Sequence, residues 1–358
     1  YNYNVTKQDE KSPVLTINTA EYLYRDNIKP LVLRINSKGI GSMELSRDFK
    51  GRSVNPFFIA DIYRIIRLII RNNIKIKIKD LIPFFYYNLI SVRYVNHIIK
   101  SLDVLNLNQL KIAISADPCD LFSRVVFSYF KNMNVKTIIL QSGPTDHDSC
   151  EWKMQRSDLL CCWLESEDFF EKEKVNYKVF FPPRFYYALE NKSNLKIFDL
   201  FIFLTWVENS NLGRKIENSM IKTMNCISKE FKGRVGLKFH PAYRISIPKL
   251  SNKIEIIDTD VNAIEIIGKS HKVLNFGSTL IYDCTYQKVP VGIINFEGQI
   301  PDYSTLLKQG DNVKVLKNTA DLITFINNSN DVIVSNNLND SVYKGSLIEK
   351  YIYDELLN

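Results

Sequence analysis

The stretch KIAISADPCDLFSRVVFSYFKNMNVKTIILQSG, from Lys111 to Gly143, decides the fold class. Its two ends, 111–117 and 135–143, are short runs rich in β-branched residues, and 119–133 between them has the apolar spacing of a helix. Two strands joined by a helix are typical of a parallel sheet covered by helices. This segment therefore predicts a Rossmann-like α/β unit.

The same alternation continues in both directions along the chain. A further strand, helix and strand are predicted up to Pro183, and a second set of units begins near Phe198. Pro182 and Pro183 interrupt the pattern, where a hinge would fall. We therefore predict an α/β, GT-B-like architecture of two Rossmann-like, doubly wound domains that face a central cleft. The boundaries are 1–190 and 191–358, and the last helix, from about 341, can pack back on the first domain.

The first hundred residues fit the alternation less well. The runs at 14–18 and 30–36 resemble strands, whereas 60–90 is helical and very apolar. Arg64, Arg67 and Arg71 lie at helical spacing. One interpretation is a surface that docks on anionic lipid headgroups. The other is an ordinary helix that packs its apolar residues on the core and leaves its arginines in water, and this second interpretation is favoured. The apolar residues in question are Ile65, Ile66, Leu68 and Ile69.

Composition and charge narrow the class of protein. A chain of 358 residues with 45% apolar and 24% charged residues is an ordered globular protein and is long enough for two cores. Residues 1–100 contain 17 basic and 8 acidic residues, so this part accounts for the whole net charge of +8. Such asymmetry indicates an anionic partner or a solubilising face. Because no zinc-finger, helix-turn-helix or RNA-binding signature accompanies it, nucleic acid is not expected as the partner.

Cellular location is predicted from three features. The opening YNYNVTKQDE lacks the pattern of a signal peptide, and the longest apolar runs are near strand length. The six cysteines are scattered without a CxxC pair, which favours buried, reduced thiols. We expect a cytoplasmic protein, with peripheral contact to the inner face of the cytoplasmic membrane as an option.

The segment LKFHP, from Leu237 to Pro241, ends a predicted strand of the second domain. A lysine, an imidazole and a chain-turning proline at such a position place Lys238 and His240 at the rim of the cleft, where they could bind a phosphate. A histidine at the end of a strand also has structural roles, so this segment by itself is a weak motif.

A second loop of the same domain suits an anion. NFGSTLIYDC, from Asn275, places Gly277, Ser278 and Thr279 between a strand and a helix. Their N–H groups and two hydroxyls would surround an anion at the amino end of that helix. The alternative is that Ser278 or Thr279 simply caps the helix.

Together, the K-x-H-P segment and the Ser-Thr loop with an acidic residue after it resemble the donor-binding domain of GT-B glycosyltransferases that use CMP-activated sugars. These are the bacterial sialyltransferases, polysialyltransferases and Kdo transferases of capsule and lipopolysaccharide synthesis, and CDP-glycerol polymerases carry a similar pair. The resemblance covers roughly residues 200–298. It implies phosphate and nucleotide contacts for His240, Ser278 and Thr279. Asp283 stands where these families often have a glutamate. The candidate donor-binding residues are Lys238, His240, Pro241, Gly277, Ser278, Thr279 and Asp283.

The first domain should then bind the acceptor and supply a carboxylate. QSGPTDHDSC, from Gln141 to Cys150, follows a predicted strand and contains Asp146, His147 and Asp148. A carboxylate there could deprotonate the acceptor hydroxyl, giving inversion, or attack the anomeric carbon, giving retention. The alternative is a turn in which the aspartates only satisfy backbone groups. Asp117, also at the end of a strand, is the second choice.

No metal or other cofactor is expected. The sequence Asp258-Thr259-Asp260 has the form of a D-x-D metal site, but Asn262 and Glu265 follow it with the spacing of a capping box. A helix start is therefore the better interpretation. A single phosphate of a CMP leaving group can be balanced by protein groups without a metal.

The leading hypothesis is a glycosyltransferase that moves sialic acid or Kdo from a CMP-sugar to a glycan or glycolipid acceptor of lipopolysaccharide or capsule. The alternatives are a CDP-glycerol-type polyol-phosphate transferase, a nucleotide-sugar epimerase on the same fold, or a non-catalytic glycan- or nucleotide-binding assembly protein.

Overall fold

The computed structural model describes most of the chain. The described residues are 3–6, 12–47, 59–71, 81–103, 105, 107–117, 119–142, 157–162, 175–186, 195–205, 207, 210–240, 254–300, 312–328 and 346–357. The strands are β1 (Tyr3–Thr6), β2 (Val14–Asn18), β3 (Ser42–Arg47), β4 (Ile112–Ser115), β5 (Lys136–Leu140), β6 (Leu159–Cys162), β7 (Tyr177–Phe181), β8 (Leu200–Phe203), β9 (Val235–Lys238), β10 (Ile254–Ile257), β11 (Val273–Asn275), β12 (Val291–Ile294), β13 (Val313–Leu316) and β14 (Ser346–Leu347). The helices are α1 (Glu21–Leu23), α2 (Lys29–Ser37), α3 (Ile59–Arg71), α4 (Leu81–Asp103), α5 (Leu121–Lys131), α6 (Asn211–Glu230), α7 (Ala263–Gly268), α8 (Leu280–Tyr286), α9 (Thr319–Asn327) and α10 (Ile348–Leu357).

The first sheet has the order β1-β3-β2-β4-β5-β6-β7-β14 in the described part of the chain. All its neighbours are parallel except β1, which runs antiparallel to β3. Both faces are covered, because alternate residues of each strand enter different cores. On β4, Ala113 faces the core that contains α5, whereas Ile112 and Ile114 face the core that contains α2 and α10. Strands buried on both faces are the expected form of a parallel sheet between helical layers.

The second sheet has the order β10-β9-β8-β11-β12-β13 among the described strands, and all of them are parallel. Read along the chain, this is the doubly wound order in which the direction of winding reverses between β8 and β11. One core lies between this sheet and α6 and α9, and the other lies under α7 and α8. The prediction of two doubly wound α/β domains is confirmed.

One predicted strand is a helix. The run at 30–36 alternates apolar and polar residues, but Leu31 and Ile35 are fully buried while Leu33 between them is 62% exposed. Burial at every fourth residue is the helical period, and Pro30 in the first turn suits a helix start. The segment is therefore α2, and the strand prediction is wrong.

The elements β14 and α10 belong to the first domain. β14 adds to the first sheet beside β7, and α10 buries Ile348 and Ile352 in the core next to α2. The Glu349 carboxylate accepts hydrogen bonds from Arg34 at 2.9 Å and from the Tyr186 hydroxyl at 2.6 Å. The last helix thus lies against the first domain, and the boundary at 190 lies outside the described residues.

The basic helix α3 packs against α4 and exposes a mixed face. Ile65 is buried, as predicted, but Ile66 is 41% exposed, so its predicted packing on the core is wrong. Ile70, Arg67 and Arg71 are exposed as well. Within the described part of the chain, we find no helix with the length and apolar character needed to cross a bilayer.

Candidate functional site

The carboxyl ends of β8 and β11 mark the candidate donor site. Ligands of open parallel sheets bind outside these ends, at the point where the winding reverses. Thr205 follows β8, the loop from Asn275 to Thr279 follows β11, and His240 follows β9 next to β8. The structure therefore brings the two predicted anion-suited segments to one edge of the second sheet.

The loop after β11 is organised by Asn275. Its buried side-chain oxygen accepts the N–H of Gly277 at 2.7 Å and the N–H of Ser278 at 2.6 Å. Gly277 has a φ of +92°, in the left-handed region that favours glycine. Because Asn275 occupies both N–H groups, the expectation that Gly277 and Ser278 offer them to an anion is not met in this arrangement.

The hydroxyls of Ser278 and Thr279 differ in their hydrogen bonds. The Ser278 Oγ accepts the N–H of Leu280 at 3.2 Å, which is a capping contact. Thr279 precedes α8 and makes no capping hydrogen bond with its side chain. Both residues are half-buried, so a ligand in the cleft can reach them. The groups that this loop offers to an anion are therefore the hydroxyls rather than the first two N–H groups.

Lys238 has a different role from the predicted one. Its side chain is buried, and its Nζ donates to the carbonyls of Asp258, Thr259 and Val261 at 3.1, 2.5 and 2.7 Å. Burial lowers the pKa of Lys238 to about 8, and the charge of nearby Arg25 lowers it as well. An ammonium group has three N–H donors, and all three are used here. Lys238 therefore binds the carbonyls of the 258–261 turn, and this role replaces the predicted contact with a phosphate.

His240 lies where the sequence predicts it. It is half-buried two residues past β9, and burial lowers its pKa. A neutral imidazole has one N–H donor, which is a group that suits a phosphate oxygen. Pro241, the last residue of the motif, lies outside the described residues.

The Asp283 side chain is buried and is not exposed to the cleft. Its side chain is fully buried in α8, and its Oδ2 accepts a hydrogen bond from the Arg184 Nη2 at 2.6 Å. Burial raises the pKa of Asp283 to about 6, against the opposing charge of Arg184. Because it is buried and paired with Arg184, Asp283 is not placed to bind a ribose. Its candidate role in donor binding is corrected to a contact between the domains.

The winding of the first sheet reverses between β2 and β4, and Glu21 and Asp117 follow the carboxyl ends of these strands, with Glu44 on the neighbouring strand β3. The Asn18 side-chain nitrogen donates to Glu21 at 3.1 Å and to Glu44 at 2.9 Å. Across the reversal, the Thr19 hydroxyl donates to Asp117 at 3.2 Å. Asp117, the second-choice residue, is thus at the predicted edge.

Two further observations concern the predicted carboxylates. The Asp117 Oδ1 accepts the N–H groups of Cys119 and Asp120, which is the pattern of a turn. Sequence reasoning missed Glu44, because the strand β3 that holds it was not predicted, and it also missed Glu21 on α1. The catalytic candidates Asp146, His147 and Asp148 lie outside the described residues and stay predictions.

The helix start after the D-x-D sequence is confirmed. Asn262 caps α7, and its side chain accepts the N–H of Ile264 at 2.8 Å. Asp258 Oδ1 accepts the N–H of Asp260, which closes a local turn. Among the described residues, no group of three or more His, Cys, Asp and Glu side chains is arranged to hold a metal ion.

Sequence reasoning also missed two charged residues on a π-helical turn, Tyr24–Ile28, between α1 and α2. Arg25 donates through Nε to the neighbouring Asp26 at 2.8 Å, and each side chain is 25% exposed. A local signal could have found them: Arg25 and Asp26 are adjacent, opposite charges in the connection that follows the first parallel strand. In a doubly wound domain, such a connection lies near the cleft.

Comparison with known proteins places this geometry in a known fold. No protein-family model matches the chain, and a search of curated proteins gives no significant match. Solved structures are similar over nearly the whole chain. The glycosyltransferase SnogD from Streptomyces nogalater is 7% identical with a TM-score of 0.60, and the match covers 97% of this chain and 99% of that one.

Two other solved structures are similar to the same extent. The spinosyn rhamnosyltransferase SpnG is 10% identical with a TM-score of 0.57, over 96% of this chain and 100% of that one. The UDP-GlcNAc 2-epimerase from Neisseria meningitidis is 12% identical with a TM-score of 0.57, over 96% and 99%. The chain therefore has the GT-B fold, which transferases and epimerases share.

Proposed function

We propose that this protein is a glycosyltransferase that uses a nucleotide-sugar donor. The observation that carries the proposal is the chemistry at the two points where the sheets reverse their winding. The second sheet presents His240 and the hydroxyls of Ser278 and Thr279, which suit a phosphate. The first sheet presents carboxylates, among them Glu21 and Glu44, which suit proton transfer. The similarity in fold to SnogD and SpnG supports this division between donor and acceptor domains.

The donor that we propose is a CMP-activated acidic sugar, sialic acid or Kdo, and the acceptor is a glycan or glycolipid of lipopolysaccharide or capsule. Its support is the resemblance of the Lys238–Pro241 segment and the Ser278–Thr279 loop to enzymes of that kind. The similar structures carry other nucleotides in their names, thymidine diphosphate for SpnG and UDP for an epimerase from Methanocaldococcus jannaschii. The base of the nucleotide is therefore the first property to measure.

The chemistry follows from the arrangement of groups. The His240 N–H and the Thr279 hydroxyl donate to the phosphate and stabilise the charge that develops on the leaving nucleotide. A carboxylate of the first domain removes the proton of the acceptor hydroxyl, or attacks the anomeric carbon if the reaction retains configuration. Asp146 or Asp148 is proposed for that role, with no metal in the reaction.

A nucleotide-sugar 2-epimerase is the second candidate. What favours it is that UDP-GlcNAc 2-epimerases match this chain over the same 96% of its length as the transferases do. An epimerase needs no acceptor, and inversion at C2 exchanges the hydrogen there. Incubation of UDP-GlcNAc with the protein in deuterated water should leave the sugar unlabelled if the protein is a transferase. Incorporation of deuterium would favour the epimerase.

Calorimetric titration with CMP, CDP, UDP, thymidine diphosphate and ADP tests the proposal directly. We expect CMP to bind most tightly, followed by hydrolysis or transfer when a CMP-sugar is supplied. Tight binding of CDP with turnover of CDP-glycerol would favour the polyol-phosphate transferase. Preference for UDP or thymidine diphosphate would remove the CMP proposal but keep the transferase, and binding without turnover of any donor would favour an assembly protein.

We also propose peripheral contact with anionic lipid on the cytoplasmic side of the membrane. Tyr63 and Ile70 on α3 are 66% and 72% exposed, next to the exposed Arg67 and Arg71. Apolar and basic side chains on one helix face suit a headgroup region. Co-sedimentation should favour vesicles that contain phosphatidylglycerol over pure phosphatidylcholine, and the double variant Arg67→Gln and Arg71→Gln should lose the preference.

A further inference from the structure

A groove with a volume of about 380 Å³ lies between the helices α4 and α5, which pack against each other over the first sheet. On α5 it is lined by residues spaced three or four apart, which share one face of the helix. The buried residues Phe122, Val126 and Phe130 of the same helix lie in the core instead. Small-molecule sites have volumes of about 300 to 1,000 Å³, so the groove can hold a small ligand.

Four aliphatic side chains, two from each helix, make the groove apolar. They are Val95 and Ile99 of α4 and Leu121 and Val125 of α5, and each of them is only partly buried. Their remaining exposed surface is apolar area that a hydrocarbon chain could cover. Each methylene group that leaves water in this way strengthens binding by about fourfold. The groove therefore suits an alkyl chain.

One charged side chain, Arg124, lines the same groove. Its Nε is buried and has no hydrogen-bond partner among the described residues. The described residues that line the groove contain no carboxylate, and the hydroxyl of Tyr129 donates to Asp103 at 2.8 Å. A buried donor without a partner costs free energy, which an acceptor brought by a ligand would recover. The guanidinium therefore favours an anionic group in the groove.

We propose that this groove binds a fatty-acid anion, with its carboxylate on Arg124 and its alkyl chain on the aliphatic residues of α4 and α5. The planar donors of a guanidinium match the two oxygens of a carboxylate, and a rotation of the Arg124 side chain aims Nε and one Nη at them. The groove shares no residue with the candidate donor site. The proposal therefore goes beyond the proposed function and does not depend on it.

Calorimetric titration with octanoate, decanoate and decanol tests both halves of the ligand. Decanoate should bind, and octanoate should bind about tenfold more weakly, because its chain is two methylene groups shorter. Decanol has the longer chain without the charge and should also bind about tenfold more weakly than decanoate. Equal affinities for octanoate and decanoate would overturn the assignment of the chain, and equal affinities for decanol and decanoate would overturn that of the headgroup.

Two substitutions locate the site. Arg124→Gln should weaken decanoate binding by about tenfold and leave decanol binding unchanged. Ser128→Glu should weaken decanoate binding as well, because exposed Ser128 lines the groove one turn from Arg124, where a carboxylate can pair with the guanidinium. Lys131→Gln is the matched control. Its side chain is 64% exposed on the same helix, outside the groove, and the substitution should change neither affinity.

The remaining outcomes are decisive as well. The proposal is overturned if the wild-type protein does not bind decanoate, or if folded Arg124→Gln binds it as tightly as the wild type. It is also overturned if Lys131→Gln loses as much affinity as Arg124→Gln, because the anion is then attracted only by net positive charge. Thermal unfolding shows whether each variant is folded, and Ser128→Glu decides the question if Arg124→Gln does not fold. The nucleotide titrations measure the proposed function separately.

Discussion

Arg184 and Asp283 form a buried ion pair between the turn after β7 and the helix α8 of the second domain, with Nη2 and Oδ2 2.6 Å apart. Arg184 belongs to the short 3₁₀ turn after β7, and Asp283 lies in α8, directly after the candidate donor loop. Next to the ion pair, the rings of Phe185 and Tyr286 stack at 4.3 Å. The helix that follows the candidate donor loop is thus attached to the turn Pro183–Phe185 by an ionic and an aromatic contact.

The first prediction concerns the pH dependence of stability. Because the folded-state pKa of Asp283 is raised to about 6 from 3.8, the folded protein binds the proton more tightly than the unfolded chain. This contribution to stability is complete below about pH 4 and is lost as the pH rises through about 6. The stability of the wild type relative to Asp283→Asn should therefore fall by about 1 to 3 kcal/mol between those limits. Urea unfolding at several pH values measures it, and a difference that does not change with pH would contradict the prediction.

The second prediction separates two roles for Lys238. Lys238→Met removes the donor for the three carbonyls of the 258–261 turn and should lower the free energy of unfolding by about 1 to 3 kcal/mol. Nucleotide affinity should change by less than about twofold, since no donor faces the phosphate. Lys272→Met is the matched control, because Lys272 donates to the carbonyls of Phe325, Ile326 and Asn328 on the opposite edge of the sheet. Weaker nucleotide binding in Lys238→Met but not in Lys272→Met would restore the phosphate contact.

The third prediction tests the imidazole at the end of β9. His240→Ala should lose one hydrogen bond to a charged phosphate, which is worth about 1.5 to 3 kcal/mol of nucleotide binding. The control is His271→Ala, because His271 is exposed and precedes β11, at the other edge of the same sheet. Calorimetry on both folded variants measures the difference. Equal affinities in His240→Ala and the wild type would remove His240 from the donor site.

The fourth prediction concerns the catalytic carboxylate. Asn in place of the working residue, Asp146 or Asp148, should lower turnover by at least about a hundredfold while nucleotide binding stays intact. The other aspartate, if it only satisfies a turn, should have little effect. Near-normal rates in both variants and in the double variant would shift the assignment to Glu21, Glu44 or Asp117 at the edge of the first sheet. A stable sugar adduct on one aspartate, detected by intact mass, would establish a retaining route.

The fifth prediction is that turnover does not depend on a metal. The leaving group of a CMP-sugar has one phosphate, whose charge His240 and the loop hydroxyls can balance. Turnover in excess EDTA should therefore equal turnover with Mg²⁺. Complete loss on chelation, restored by a divalent ion, would favour a metal at the Asp258–Asp260 turn instead.

Local patterns in the sequence predicted most of the second domain. The strand that ends at Lys238 and the cap at Asn262 follow from an apolar run and a capping residue, which act within a few positions of the chain. The same patterns put His240 and the Ser278 loop at strand ends, where parallel sheets bind ligands. The first domain was harder, since α2 has an apolar alternation that suits a strand until Leu31 and Ile35 are seen to share one buried face.

The partners of the buried charges were decided by the tertiary structure alone. Lys238 meets carbonyls about 20 residues further along the chain, and Asp283 meets Arg184, which is 99 residues away. A charge taken out of water must find a partner, and which partner it finds depends on the segments that pack beside it rather than on its neighbours in sequence. The sequence therefore determined where the strand-end groups lie, while the tertiary packing determined that Lys238 and Asp283 support the structure.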